Sequence, residues 1–161
     1  MTPSSTATEQ HWTTPDGTQL AGTLQLPNLP REAPRPAVLL ISGSGPLDRN
    51  SNTDAQSLNI ASAIAEHLAT IGIASLRFDK RGTGASGGNY ATTGFNDETD
   101  DAATALHHLA NLDGIDAGRI AVIGHSAGAT IAIRLAVFEF VVFVAVLLAA
   151  AASRGERVLE W

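Results

Sequence analysis

The stretch Ile120-Ala121-Val122-Ile123-Gly124-His125-Ser126-Ala127-Gly128-Ala129-Thr130-Ile131-Ala132 restricts the fold more than any other part of this chain. An apolar run rich in β-branched residues stops at Gly124, passes Ser126, meets Gly128 and continues with small and apolar residues at helical spacing. The pattern predicts a strand, a very tight turn and a helix. Such a turn puts Ser126 in a strained backbone conformation with its hydroxyl toward solvent, and leaves room only for residues without bulk two positions to either side. The helix that follows then directs its free N–H groups and the positive end of its dipole at any oxyanion formed beside the serine. A plain strand-to-helix turn is the competing reading, because Gly-x-Ser-x-Gly arises by chance; the flanking strand and helix patterns weigh against it.

The 161 residues suit one domain with a sizeable core. A net charge of −6 offers no basic patch, which makes nucleic acid and anionic lipid poor partners. The absence of cysteine excludes disulfides, thiolate metal sites and a cysteine nucleophile. Residues 1–8 read as a disordered polar tail without the apolar segment of a secretory signal, so the expected location is cytoplasmic.

In chain order, Glu9 to Thr14 and Gln19 to Leu26 flank Pro15-Asp16-Gly17 and predict an antiparallel hairpin, with Leu20, Gly22, Leu24 and Leu26 on one face. The proline-rich segment Pro27 to Pro36 is a surface connection. Ala37 to Ile41 is a continuous apolar run, expected of a strand covered on both faces. It leads into Ser42-Gly43-Ser44-Gly45-Pro46-Leu47-Asp48-Arg49-Asn50, a loop at the strand end where open α/β sheets bind ligands. Ser57 to Ile71 is an amphipathic helix with Leu58, Ala61, Ile64, Ala65, Leu68 and Ile71 inward and Gly72 as its stop.

Ile73 to Phe78 is the next strand. After it, Gly82 to Gly87 spells Gly-x-Gly-x-x-Gly, but Gly88, Asn89 and Tyr90 prolong the loop where a dinucleotide fingerprint would open a helix. Thr99 to Leu112 predicts a helix with Ala102, Ala103, Leu106, Leu109 and Ala110 inward and an acidic start at Asp97, Glu98, Asp100 and Asp101. The adjacent His107 and His108 project about 100° apart and do not chelate one ion from a single face. Asn111 to Arg119 is then a loop, and the helix after Ser126 extends to about Phe138. Strands alternating with helices imply a mostly parallel sheet with helices on both faces, in a single domain over residues 9–161.

Three motifs occur in one order: the Ser42 to Asn50 loop, Phe78-Asp79-Lys80-Arg81-Gly82-Thr83-Gly84-Ala85-Ser86, and Gly124-His125-Ser126-Ala127-Gly128. Together they resemble the N-terminal portion of an α/β-hydrolase, closest to the bacterial esterase and serine-aminopeptidase-like group, over about Trp12 to Ile133. The resemblance implies that Ser126 is the acyl-accepting nucleophile and that the backbone N–H groups of Ala127 and Ser44 receive the oxyanion. It further implies that Gly124, His125 and Gly128 form the elbow, and that the Asp79 to Ser86 loop shapes the site from beside it. The implied enzyme acts on a small-molecule acyl or peptide substrate without metal or organic cofactor.

The acid and histidine of that superfamily's triad follow the nucleophile. Here the histidines are His11, His67, His107, His108 and His125, and none follows Ser126; Glu156 and Glu160 read as solvated terminal residues. The chain therefore reads as a hydrolase fold ending about two strands early, with doubtful catalytic competence, and a non-catalytic remnant or interaction module is the alternative. Leu135 to Ala152 carries one charge, Glu139, and is just long enough for a membrane span. A strand at about Val141 to Leu148 is the stronger reading, since β-branched residues dominate there. Its exposed edge predicts self-association.

Overall fold

The computed structural model describes residues 5–30, 33–138 and 143–147. Two strands open the chain, β1 (Ser5–Thr13) and β2 (Gln19–Pro27), followed by β3 (Arg35–Ile41), α1 (Ile60–Thr70) and β4 (Ala74–Phe78). Then come a 3₁₀ turn (Tyr90–Thr92), α2 (Phe95–Ala110), β5 (Ile115–His125), α3 (Ala127–Phe138) and β6 (Phe143–Leu147). The sheet order is β1-β2-β4-β3-β5-β6. Pairs β3/β4, β3/β5 and β5/β6 are parallel, whereas β1/β2 and β2/β4 are antiparallel. This is the mostly parallel sheet with an N-terminal hairpin that the sequence predicts.

Helices cover both faces because the apolar positions of β3 alternate. Ala37, Leu39 and Ile41 share a core with Ala102, Leu106 and Leu109 of α2 and Ile131, Ala132 and Leu135 of α3. Val38 and Leu40 face the other way, onto Ala61 and Ala65 of α1. Leu39, Leu76, Leu109 and Val122 have no solvent exposure. Side chains of this kind each contribute about 1.5–3 kcal/mol on burial. The chain steps from β3 through α1 to β4, then back across β3 through α2 to β5, so the winding direction reverses at β3. The crevice at the carboxyl end of β3 and β5 is consequently where the fold leaves space for a ligand.

Several element boundaries differ from expectation. Ser5 to Thr8 is not a disordered tail: these residues pair with Leu24 to Pro27, because ladder hydrogen bonds and Thr side chains order an edge strand without apolar content. The first helix starts at Ile60 rather than Ser57. Asn59, at φ 52°, stands before it, and its N–H is held by the Asn52 side chain at 2.8 Å. Leu58 and Ile71 are therefore exposed, at 51% and 59%, rather than inward. The second helix begins earlier than Thr99, at Phe95, where the Asp97 carboxylate accepts the Gly94 N–H at 2.8 Å. Residues 115–119, expected as loop, belong to β5, which shifts register against β3 between Arg35 and Ala37.

Strand β6 lies inside the expected Val141 to Leu148 segment, whose first two residues and last residue fall outside the described ones. No helix among the described residues is long and apolar enough to cross a membrane. Residues 139–140 and 149–152 of the Leu135 to Ala152 run, together with Glu156 and Glu160, also lie outside the described residues.

Candidate active site

The carboxyl ends of β3, β4 and β5 bring three loops together. At β5 the turn into α3 is as tight as the sequence demands. Ser126 takes φ 54°, a left-handed conformation that a residue with a side chain holds only when its surroundings enforce it, and it is exposed. The enforcement is steric. A Cβ on Gly124 would overlap the Gly128 carbonyl, and a Cβ on Gly128 would stand 2.5 Å from the carbonyl oxygens of Ile41 and Ser42. The elbow is thus pressed on itself and on the end of β3, and no side chain fits at either glycine. Ala129 N–H closes the turn on the Ser126 carbonyl at 2.9 Å. The N–H groups of Ala127 and Gly128 open α3 without an acceptor among the described residues, beside the Ser126 side chain and at the positive end of the helix dipole.

The loop after β3 crosses over this elbow. A Cβ on Gly43 would lie 2.9 Å from His125 Nδ1 and 3.3 Å from Ser126 Cβ, so the loop backbone touches the elbow directly. Ser44, the next residue, is exposed, and its N–H has no acceptor among the described residues. Further on, Asp48 turns the loop by accepting the N–H groups of Asn50 and Asn52 at 2.8 and 2.9 Å.

The loop after β4 holds the loop after β3 in place, and it does so through charge. Asp79, 2% exposed, accepts Arg49 N–H at 2.7 Å, Arg49 Nε at 3.1 Å, Arg49 Nη2 at 2.7 Å and Ala85 N–H at 2.8 Å. Burial pushes the Asp79 carboxyl up, but the Arg49 fork and the Ala85 and Arg49 N–H groups outweigh it and hold the group below the usual carboxylate range. Arg49 continues to Glu9 and to Thr23 Oγ1, which ties the same loop to the hairpin. Ser86 Oγ donates to the Asp79 carbonyl at 2.8 Å and accepts Ala21 N–H at 2.9 Å. Alongside, Arg81 grips Asp101 through two contacts of 2.7 Å, and Lys80 meets Glu98 at 3.0 Å.

These partners were not legible in the sequence. Asp101 reads there as part of an acidic helix start, yet it is 2% exposed on the inward side of α2 and neutralises Arg81. Its spacing of four from Ala105 is the one signal that could have placed it. Arg49 and Asp79 stand 30 residues apart, and no local pattern joins them.

Of the five histidines, only His125 is near Ser126. Its side chain lies on the α1 face, against a cavity of about 30 Å³ shared with Leu40, Ile60, Ile64 and Ile123. His67 and His107 with His108 occupy the last turns of α1 and α2, at the opposite ends of the strands, and His11 is on the edge strand β1. His108 stacks on Trp12 at 4.7 Å, and burial lowers its pKa. No group of three potential metal ligands clusters among the described residues. A groove of about 360 Å³ runs between the β1–β2 turn and α2 past Asp16, Arg81 and Asp97; Ser126 is not in its walls. The Gly82 to Gly87 string opens no helix, being followed by the 3₁₀ turn.

Comparison with known proteins agrees with this arrangement. The model of the serine aminopeptidase S33 family matches residues 55–160. No curated protein matches the sequence. Among solved structures, a hypothetical protein of Pseudomonas aeruginosa superposes with a TM-score of 0.75 at 24% identity, over 89% of this chain and 42% of its own. An esterase of Pyrococcus furiosus gives 0.63 at 28% identity, over 82% and 47%. Est1E of Butyrivibrio proteoclasticus, solved with ferulic acid bound, gives 0.67 at 24% identity, over 85% and 50%. The chain thus spans half or less of the length of these structures. With the family model covering more than half of the chain and the strand order and elbow in place, the protein belongs to the serine aminopeptidase S33 family of the α/β-hydrolase superfamily.

Proposed function

We propose that this chain carries the nucleophile and oxyanion-binding part of a serine hydrolase acting on an ester or similar acyl bond. The observation that carries the reading is the exposed Ser126 at φ 54°, wedged between two glycines that admit no side chain and approached by the Gly43 backbone. Backbone strain of this size costs about 1–3 kcal/mol, and Ser126, unlike the equally left-handed Ser51 and Asn59, holds its hydroxyl at a helix start whose first N–H groups are free among the described residues. In the proposed reaction Ser126 Oγ attacks the acyl carbonyl. The oxygen that becomes negative accepts the N–H groups of Ala127 and Ser44, the leaving group departs, and water hydrolyses the acyl-enzyme. The 28% identity to an esterase supports the ester class.

The proton of Ser126 needs a base, and the five histidines offer none in a suitable place: four are remote and His125 faces α1. Loss of the base alone lowers turnover about 10⁶-fold in a known triad, while the oxyanion hole retains part of the rate. The 161-residue chain by itself is expected to show trace hydrolysis of a p-nitrophenyl ester and slow fluorophosphonate labelling, confined to Ser126 and abolished by Ser126→Ala. Labelling elsewhere, or unchanged in Ser126→Ala, would refute the assignment. Rapid, stoichiometric labelling would instead reveal a base within these residues, to be found by substituting His125, His107 and His108 in turn. That none of these five histidines is placed to activate Ser126 favours a second reading, a non-catalytic module that keeps the elbow, and complete inertness of Ser126 would support it.

A further inference from the structure

We infer that Tyr90 is a positioning residue, whose phenol sets the direction of the Ser44 N–H by holding the next residue of the loop. The inference rests on the oxyanion role proposed for Ser44 and adds a residue to it. Ser44 lies between two neighbours with very different restraints. Gly43 is fixed by contact with the elbow, through His125 Nδ1 and Ser126 Cβ. Gly45, at φ 99°, has nothing within 4 Å of where a Cβ would stand, so no contact on that side holds it. Among the described residues, one long-range hydrogen bond holds it, from Gly45 N–H to Tyr90 Oη at 3.0 Å. The other close link is within the loop, Leu47 N–H to the Gly45 carbonyl at 2.9 Å. Without the phenol, Ser44 is tethered on its Gly43 side alone, and the Gly43–Ser44 peptide, which carries the Ser44 N–H, can turn about the glycine bond that precedes it.

Tyr90 is itself well anchored, as a positioning group must be. Gly82 passes so close that a Cβ there would lie 2.6 Å from Tyr90 N. The Asn89 side chain accepts Ala91 N–H at 3.0 Å and its carbonyl accepts Thr93 Oγ1 at 2.8 Å, which fixes the 3₁₀ turn that starts at Tyr90. Lys80 Nζ lies over the ring, 5.7 Å from its centre, and Glu98 holds that ammonium at 3.0 Å. The acceptor is therefore delivered by an anchored turn to a glycine with few other restraints.

The chain has no cysteine and a single tyrosine, which permits a clean test. In a Ser126→Cys chain the thiolate attacks the carbonyl of p-nitrophenyl acetate, an oxyanion forms, and p-nitrophenolate leaves to give the thioester. Alkylation of the same thiol by iodoacetamide passes through no oxyanion. The ratio of the two rates reports the oxyanion donors and cancels thiol exposure and ionisation. We expect Tyr90→Phe, which keeps the ring under Lys80, to lower that ratio about tenfold, a fraction of what deleting one donor costs. An unchanged ratio would overturn the inference while leaving the proposed function standing. If the Ser126→Cys chain with Tyr90 intact showed only the ratio of N-acetylcysteine, the oxyanion role itself would fail, and this inference with it. Should Tyr90→Phe not fold, replacing the one tyrosine by 3-fluorotyrosine weakens the acceptor without removing it. A two- to threefold lower ratio is then expected, and no change is the refuting result.

Discussion

Two loops flank the candidate site at the ends of strands in the same sheet, and they are held by opposite means. The turn after β5 is held by exclusion: two glycines, two backbones in contact and no charge. The loop after β4 is held by attraction, through Asp79 with Arg49 and Arg81 with Asp101, side chains brought from distant parts of the chain. Repulsive contacts are short in range and act between near neighbours, so they give one residue a conformation it would not choose. Buried ion pairs act between elements, so they fix how whole loops sit on each other. A strained nucleophile position needs the first kind of restraint; the position of an oxyanion donor on a separate loop needs the second.

The comparison predicts how each loop fails. The largest effect is expected for Gly124→Ala, since the methyl group overlaps the Gly128 carbonyl and only backbone movement relieves it. A loss of about 4–5 kcal/mol in chemical denaturation is expected, and a loss under about 1 kcal/mol would show that the elbow is not sterically locked. Next is Arg49→Met, which leaves Asp79 buried and uncompensated. About 3 kcal/mol should be lost, and amide exchange should rise along residues 43–50 while the elbow stays protected. If both loops loosen together, the two restraints are not separable.

A smaller, pH-limited effect should follow from Asp79 alone. Its folded pKa lies below its unfolded one, so its charge adds stability above the ordinary carboxylate range, and that stability is lost as pH falls through the folded value. Below about pH 4 the parent chain should lose stability more steeply than Asp79→Asn; parallel acid profiles would contradict the ion-pair account. The smallest effect carries the opposite sign. Ser126→Gly removes the penalty of a left-handed φ at the cost of a more flexible unfolded chain, for a net gain of about 1 kcal/mol. A destabilised Ser126→Gly would mean that the turn is not strained.

Much of the fold was legible because it depends on patterns that repeat over a few residues. Alternation along β2 identified Leu20 and Leu24 as core, and helical spacing did so for Ala61, Ala65, Leu106 and Leu109. Where a boundary depended on a side chain reaching back to the main chain, as with Asn52 at Asn59, periodicity placed the helix start too early. The pairing of Ser5 to Thr8 was missed for a related reason: an edge strand is ordered by its ladder, and its composition is free to be polar.

By itself the sequence determined that a serine stands at a strand-to-helix turn too tight for side chains two positions away, because that demand is local and glycine is the residue that meets it. It also determined the order of strands and helices, since apolar periodicity is written residue by residue. Only the tertiary structure decided that Arg49 closes on Asp79 from 30 residues away, that Asp101 faces inward to meet Arg81, and that Tyr90 reaches Gly45. Those pairings depend on where loops from separate strands meet in space, and a charged or phenolic side chain has the same letter whether it ends in water or on a partner.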